Sequence, residues 1–466
     1  MTAHTAEGWW LEEAGGAGAA ASPPLAGDVH ADVLVIGGGY LGMWTAWNVL
    51  EHEPQARVVV LEAGRCGHGP SGRNGGMANS FSDRMAEVRE AFGDGPAKAL
   101  LEASQDAVRG LGRWCEAQGV DAWYLARPHL DVSTSPSQDG GWEDTAGALA
   151  ALGQPDELRP VAPGEVAAIC DSPAFREGAI VATAATVQPG RLALGLRDRL
   201  ASRGAALHER SRVRSLRAGA GGAVAETDGG RVVARQAVLA IGGAALGVRP
   251  LHGRMSVASS HIALTEPVPD VLEACGWTGG EGITDRRTLL HYFRTTRDGR
   301  IALGWGGGRM GFGARTTGVL EVDPDAIAHA KATLVRFFPA LQGRAITHAW
   351  GGPIDVGPEH LPMYGTLDPG VHYGFGFTGN GVAPSYLGGQ ILAAIALDRR
   401  DAVTRLPLVE PHPKRFPPEP FRWLGGSAIR TGFVRRDRLE EEGADVDPVT
   451  AFVTSLPKRL GMNLPR

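Results

Sequence analysis

Gly37, Gly39 and Gly42 stand in the spacing Gly-x-Gly-x-x-Gly, and Glu62 follows twenty residues after the last of them. Glycines spaced this way bring a backbone against a pyrophosphate. The first permits a tight turn, the second removes the side chain that would block the phosphates, and the third lets a helix lie close on a strand. A carboxylate at Glu62 can accept hydrogen bonds from both hydroxyls of a ribose, which disfavours a phosphate there. The chemistry indicated is dinucleotide binding. A chain with 67 glycines produces such triplets by chance, so the surrounding elements must decide. Val33 to Ile36 reads as a strand buried on both faces, and a helix is predicted from Tyr40 to about Leu50 with its N-terminus facing the phosphate charge. Val58 to Leu61 is a second strand, ending at the acid. Tyr40 and Leu41 at the helix start and Ala63 beside Glu62 complete this first contact set.

The next piece, Pro70-Ser71-Gly72-Arg73-Asn74-Gly75-Gly76, is one that a nicotinamide enzyme has no need to place so soon after the ribose acid. With it the chain resembles the D-amino-acid-oxidase-like superfamily of FAD-dependent amine and amino-acid oxidoreductases. SGRNGG is most similar to the branch containing gamma-glutamylputrescine oxidase and aminophosphonate oxidoreductases. The resemblance continues through Thr186 to Leu192, a helix running to Arg203 and a strand around Leu207 to Val213, where Val213 is implied to hold the adenine through its backbone. Ala237 to Gly243, including Gly242, is similar to the strand that returns to the dinucleotide. Trp350-Gly351-Gly352-Pro353 and Gly374 to Val382 resemble the two loops that meet the isoalloxazine ring, implying contacts from Gly352, Gly379, Asn380, Gly381 and Val382. A helix from about Ala383 to Leu397 would then turn its N-terminal amides to the reduced flavin. Phe416 to Pro420 and Leu424-Gly425-Gly426 also look like this branch.

The resemblance implies an α/β (α+β) fold: a Rossmann-like FAD-binding domain of the glutathione-reductase type, with an interleaved substrate domain built on an antiparallel sheet. It implies FAD held noncovalently, because the family's covalent histidine falls near Arg73 and no cysteine follows Cys275. His68 is expected only as a polar neighbour of the ring or the surface. The implied reaction oxidises a carbon next to nitrogen to an imine, which water hydrolyses. In the loop, Ser71 is expected to face the pyrophosphate or ribitol and Arg73 and Asn74 to fix the backbone, while the amides of Gly75 and Gly76 approach the ring.

Composition agrees with a compact enzyme. At 466 residues the chain exceeds what one core usually serves. Its expected organisation is an N-terminal extension (1–30), a discontinuous FAD-binding domain (31–85, 150–250, 345–405), a substrate domain (86–149 and 251–344) and a C-terminal extension (406–466). A net charge of -5 leaves no electrostatic footprint for nucleic acid. No apolar run approaches the ~20 residues that span a bilayer, and the first lysine or arginine is Arg57, so a cytoplasmic protein is expected. Cys66, Cys115, Cys170 and Cys275 lack metal-type spacing, and no metal is expected. Trp9 and Trp10 read as an anchor for the N-terminal extension.

The substrate-side candidates are His291, Tyr292, Arg294 and Trp305, on a predicted hairpin that turns at Arg297-Asp298-Gly299, with His261 on the preceding strand. Alternation places His291 with Phe293 on one face and Tyr292 with Arg294 on the other. The second pair suits an aromatic wall and an anion anchor. The lysines are Lys98, Lys331, Lys414 and Lys458, none on a strand expected to cover the ring. A lysine-assisted reaction with oxygen is therefore disfavoured, and the electron acceptor is either O2 or another molecule. The leading expectation is an amine oxidoreductase whose substrate is a primary or secondary amine, with aminophosphonates and gamma-glutamyl amines among the candidates. The rivals are an amino-acid or hydroxy-acid oxidase and a flavin-carrying subunit without turnover.

Overall fold

The computed structural model describes all residues except 1–2, 5–6, 17, 19, 220, 412–413, 461 and 463–466. The apolar run before the glycines forms the strand Val29–Ile36, and it runs parallel to Val58–Leu61 on one side and to Arg231–Leu239 on the other. Ala206–His208 and Val371–Phe375 extend the parallel part outward, and the inner ends of the central strands are buried on both faces. That explains their unbroken Val/Ile/Leu composition. An antiparallel meander, Ser215–Gly219 and Gly222–Glu226, completes one flank.

The helix Tyr40–His52 follows directly from the glycine turn. Gly37 has φ +112°, and a Cβ there would lie 2.2 Å from the Ala240 carbonyl oxygen. A Cβ on Gly42 would lie 1.9 Å from the Gly37 oxygen. Turn and helix therefore close only with glycine at both positions. The helix Val382–Ala396 packs across the first helix so tightly that a Cβ on Gly389 would meet Trp44 backbone at 2.6 Å.

A second sheet lies over the first domain. Its order is Ala3–His4, Ile346–Val356, Ser256–Thr265, Ile301–Trp305, His291–Thr295, Ile283–Asp285, His129–Val132, Gly178–Val181 and Leu158–Val161. The hairpin Ile301–Trp305 with His291–Thr295 and the strand Ser256–Thr265 lie as the alternation predicts. Strand pairing nevertheless moves two pieces expected in the FAD-binding domain. Ile346–Val356 pairs along its length with Ser256–Thr265, so Trp350 to Pro353 is a strand of the roof and not a loop. Leu158–Val161 and Gly178–Val181 also join this sheet. The strand expected over Leu207 to Val213 ends at His208, and Val213 lies in the turn that follows.

Two further features lie outside the parallel core. The helix Pro324–Phe337 covers the roof from behind, its Ala330, Leu334 and Phe337 buried against Phe293 and Leu303. The C-terminal extension is no tail: Phe421–Glu441 and Pro448–Arg459 form a helical hairpin. Trp9 and Trp10 are buried with Trp123 and Trp350, which makes the N-terminal segment a packed strap.

Candidate functional site

A cavity of about 1500 Å³ opens between the two domains. Pro70 and Arg73 to Gly76 line it, together with Tyr292 and Ser260 from the roof, Gly352 from the roof strand Ile346–Val356, and Phe377 to Asn380 from the loop before the helix Val382–Ala396. A Cβ built on Gly352 or Gly379 meets nothing within 4 Å, so both backbones face open space.

The SGRNGG loop is held by its own side chains. Asn74 Nδ2 donates to the carbonyls of Pro70 (3.1 Å) and Ser71 (2.7 Å), and its Oδ1 accepts from the Gly76 amide at 2.7 Å. Arg73 reaches Glu321 at 3.2 Å, while its carbonyl accepts from Trp350 Nε1 at 2.8 Å. Arg73 and Asn74 thus fix the backbone as expected. The Gly76 amide, expected to turn to a ring, is instead engaged by Asn74. Ser71 Oγ accepts from the Tyr40 amide at 2.8 Å, so it caps the very helix that the glycine turn begins. Glu62 accepts from the Gly38 amide at 2.8 Å and from the Gly64 amide at 2.7 Å, bracing the turn from below.

Of the four substrate-side candidates, Tyr292 alone lines the cavity. Its hydroxyl pairs with Ser260 Oγ at 2.7 Å, and its ring lies where a Cβ on Gly75 would sit 2.7 Å away. Burial raises its pKa to about 12, so it is a neutral hydrogen-bonding group. Arg294 shares that face but is no anion anchor. Its Nη1 donates to the carbonyls of Gly76 (3.2 Å) and Val187, its Nε donates to the Thr295 carbonyl, and its guanidinium lies 5.5 Å over the Trp10 ring. It is 5% exposed. The one charge on that strand face therefore clamps two segments of the first domain together.

His291 faces the other way, as alternation requires. Its Nδ1 lies 2.7 Å from Asp285 and its Nε2 lies 2.8 Å from His329, all beneath the roof. Trp305 packs on His329 at 4.0 Å between ring centres, and His261 accepts from the Asp323 amide at 3.1 Å. None of the three reaches the cavity among the described residues. His68 lies 3.6 Å from Glu7 and is likewise off the cavity.

Sequence reasoning missed several lining groups. His129 and Asp131 project from one strand, and their i, i+2 spacing was the available signal. Asp83 carries no described hydrogen-bond partner, and burial raises its carboxyl to about 6. His360 sits at φ +57°, and burial, reinforced by the charge of Arg84, lowers its imidazole to about 3, so it is neutral. The C-terminal hairpin also contributes wall, and with it Lys458, which the sequence placed in a tail.

A Rossmann-type sheet with its glycine turn, facing a mixed, mainly antiparallel roof across a cavity, defines a two-domain flavoprotein oxidoreductase fold. The chain belongs to the FAD dependent oxidoreductase (DAO) family, whose model matches residues 32–395. It is 29% identical over 393 residues to gamma-glutamylputrescine oxidoreductase of Escherichia coli (strain K12), covering 81% of this chain and 87% of that one. It is 27% identical over 382 residues to the probable oxidoreductase OrdL of Rhizobium meliloti (strain 1021), covering 81% and 85%. Among solved structures, glycine oxidase from Geobacillus kaustophilus superposes with a TM-score of 0.67 at 19% identity, over 80% of this chain and 96% of that one.

The residues present fit the family's cofactor. The Gly37 to Gly42 turn is a cradle that any Cβ would fill, and Asn79 Oδ1, which lines the cavity wall, is buried without a hydrogen-bond partner. Among the described residues no group of His, Cys, Asp or Glu is arranged to hold a metal ion, and no helix is long and apolar enough to cross a membrane.

Proposed function

We propose that this FAD-dependent oxidoreductase oxidises the C–N bond of a primary or secondary amine to an imine, which water hydrolyses to an aldehyde or keto product. The amine bears an anionic group such as a phosphonate or a gamma-glutamyl carboxylate, and the enzyme works in the cytoplasm. The observation that carries this reading is the inner end of the cavity. There the backbones of Gly352 and Gly379 face open space, and Gly75 carries no side chain, which lets the Tyr292 ring close over the loop.

In this reading FAD is held noncovalently by Gly37, Gly39, Tyr40, Leu41, Gly42, Glu62 and Ala63 at the adenosine and pyrophosphate end. Ser71 to Gly76, Val213, Gly242, Gly352 and Gly379 to Val382 serve the remainder. Bound there, FAD supplies the two-electron acceptor for the carbon next to nitrogen. The chain's own groups do the positioning. Tyr292 closes the space with an apolar ring and, through its bond to Ser260, keeps its hydroxyl oriented. The helix Val382–Ala396 has no side-chain cap at Gly381, which leaves its first amides available to an anion. The engagement of Arg294 with Gly76 and Val187 removes it as the carboxylate anchor that an amino-acid or hydroxy-acid oxidase would need on that strand.

Anaerobic titration of the yellow protein with matched amines, amino acids and aminophosphonates tests the assignment. Amines are expected to bleach the flavin absorbance. Bleaching by α-amino acids alone would replace the reading with the amino-acid one.

A further inference from the structure

The helices Phe421–Glu441 and Pro448–Arg459 lie beyond residues 32–395, the span shared with the family, yet they form part of the cavity wall. They are docked firmly. Arg287, buried beneath the roof, pairs with Asp285 at 3.1 Å and with Glu441 of the hairpin, and Arg336 from the helix behind the roof meets the same Glu441. Arg430 Nε donates to the carbonyls of Gly307 (2.7 Å) and Gly308 (2.8 Å). The two helices are held to each other by Arg435 and Asp447 at 2.9 Å and by a close crossing where a Cβ on Gly432 would lie 2.8 Å from Val453.

The charge this wall presents is one-sided. Among the described residues the hairpin's charged lining groups are Arg430, Arg436, Lys458 and Arg459, with no carboxylate. The acids of the cavity come instead from the neighbouring segments, Asp83, Glu87, Asp131 and Glu143 among them, where Arg84 and Arg286 also stand. Two of the hairpin cations have their hydrogen-bonding capacity committed elsewhere or face a ring: Arg430 binds the roof carbonyls, and Arg459 lies 5.3 Å over Phe452. Arg436 is held at Nε alone, by Glu440 at 2.7 Å, which leaves both terminal amino groups without a described partner. Lys458, exposed at the rim, has no partner among the described residues. Cations on a packed helix pair at a cavity wall attract an anion, and the Glu440 pair already orients Arg436.

We infer that the C-terminal hairpin is the specificity element of this enzyme, and that Arg436 and Lys458 bind the anionic end of the amine substrate. The inference rests on the amine-oxidation reading and assigns a site to the anion that reading includes. Arg436 offers a planar pair of donors for a phosphonate or carboxylate, and Lys458 adds a point charge. The acids on the neighbouring wall draw the protonated amine to the same cavity, so a molecule with charges of both signs is favoured over a plain alkylamine.

The test uses the full-length holoenzyme and an ω-aminoalkylphosphonate set against the alkylamine of the same length. In the wild type the phosphonate is expected to have the higher kcat/KM, with the advantage shrinking as salt is added. Lys458→Glu and Arg436→Gln should each lower the selectivity ratio by about tenfold, through KM, as expected for loss of a charged hydrogen bond. The distant Lys98→Glu should leave that ratio unchanged. An unchanged ratio in both hairpin variants overturns the inference. If no amine bleaches the flavin, the underlying reading fails by itself. The hairpin site is then decided by perturbation of the flavin spectrum with a simple alkylphosphonate: affinity about tenfold weaker in Lys458→Glu supports it, and full affinity in both variants overturns it.

Discussion

Replacing Arg294 by Met separates two roles for the one guanidinium on the cavity-side face of its strand. In the structure it donates to the carbonyls of Gly76 and Val187 and packs over Trp10, and it lies against no carboxylate. Each hydrogen bond from a charged donor contributes about 1.5–3 kcal/mol, and a desolvated cation–π contact about 1–2 kcal/mol. Two offsets reduce the sum. The variant no longer buries a charge, and the Gly76 carbonyl keeps its bond from the Val187 amide at 2.7 Å. A net loss of about 2–4 kcal/mol remains. It falls on the junction between the SGRNGG loop and the segment before the helix Pro189–Ser202. If half of it must be restored when FAD orders the loop, FAD affinity drops by about five- to thirtyfold, at 1.4 kcal/mol per factor of ten. The assay is FAD titration of apoprotein by fluorescence quenching, with the thermal midpoint and the amine KM measured in parallel. Unchanged FAD affinity and midpoint with a raised KM would refute the clamp and restore Arg294 as a substrate anchor.

Four further outcomes are expected. Gly42→Ala puts a Cβ 1.9 Å from a backbone oxygen that cannot give way, so a loss of about 3 kcal/mol and protein without yellow colour should result, read from the ratio of flavin to protein absorbance. Ser71→Ala removes the acceptor for the Tyr40 amide and should lower the apoprotein's midpoint by about 1 kcal/mol equivalent, less once a phosphate can take over at that helix end. Asp437 on the hairpin has its carboxyl raised to about 7 by burial, with Asp285, Glu440 and Glu441 adding to the shift against the opposing Arg287. Between about pH 4 and about 7 the folded chain then holds a proton that the unfolded chain has released. Stability therefore falls as pH rises through that window and levels off above it, and Asp437→Asn should flatten the midpoint-versus-pH curve there. Tyr292→Phe keeps the ring against Gly75 and loses the Ser260 bond, so flavin content should hold while kcat/KM falls by about fivefold, a cost near 1 kcal/mol.

The glycine turn was readable because its constraint is local. Gly37 needs its φ and Gly42 its missing Cβ whatever else the chain does, and the helix and strands around them follow from short-range periodicity. The same holds for alternation on the strand His291–Thr295, whose two faces separated as expected. What failed was the step from face to role. Tyr292 and Arg294 share a face, but the second is covered by Gly76, Val187 and Trp10, which are far from it in sequence. Trp350 to Pro353 was expected as a loop meeting the ring because nothing local announces that Ser256–Thr265 lies alongside to pair with it.

The C-terminal hairpin marks the boundary most clearly. Its helices are legible as helices only once they are seen to dock, because Phe421, Trp423 and Leu424 remain exposed and no single apolar stripe dominates. Their place against the cavity is set by Glu441 meeting Arg287 and Arg336, a pairing across more than a hundred residues. By itself the sequence determined a dinucleotide site, through backbone constraints that act over a few residues at a time, and FAD followed from the resemblance of SGRNGG and the later loops. The substrate side was decided only by the tertiary structure, because the groups that reach the cavity are selected by which distant chain segments cover their neighbours.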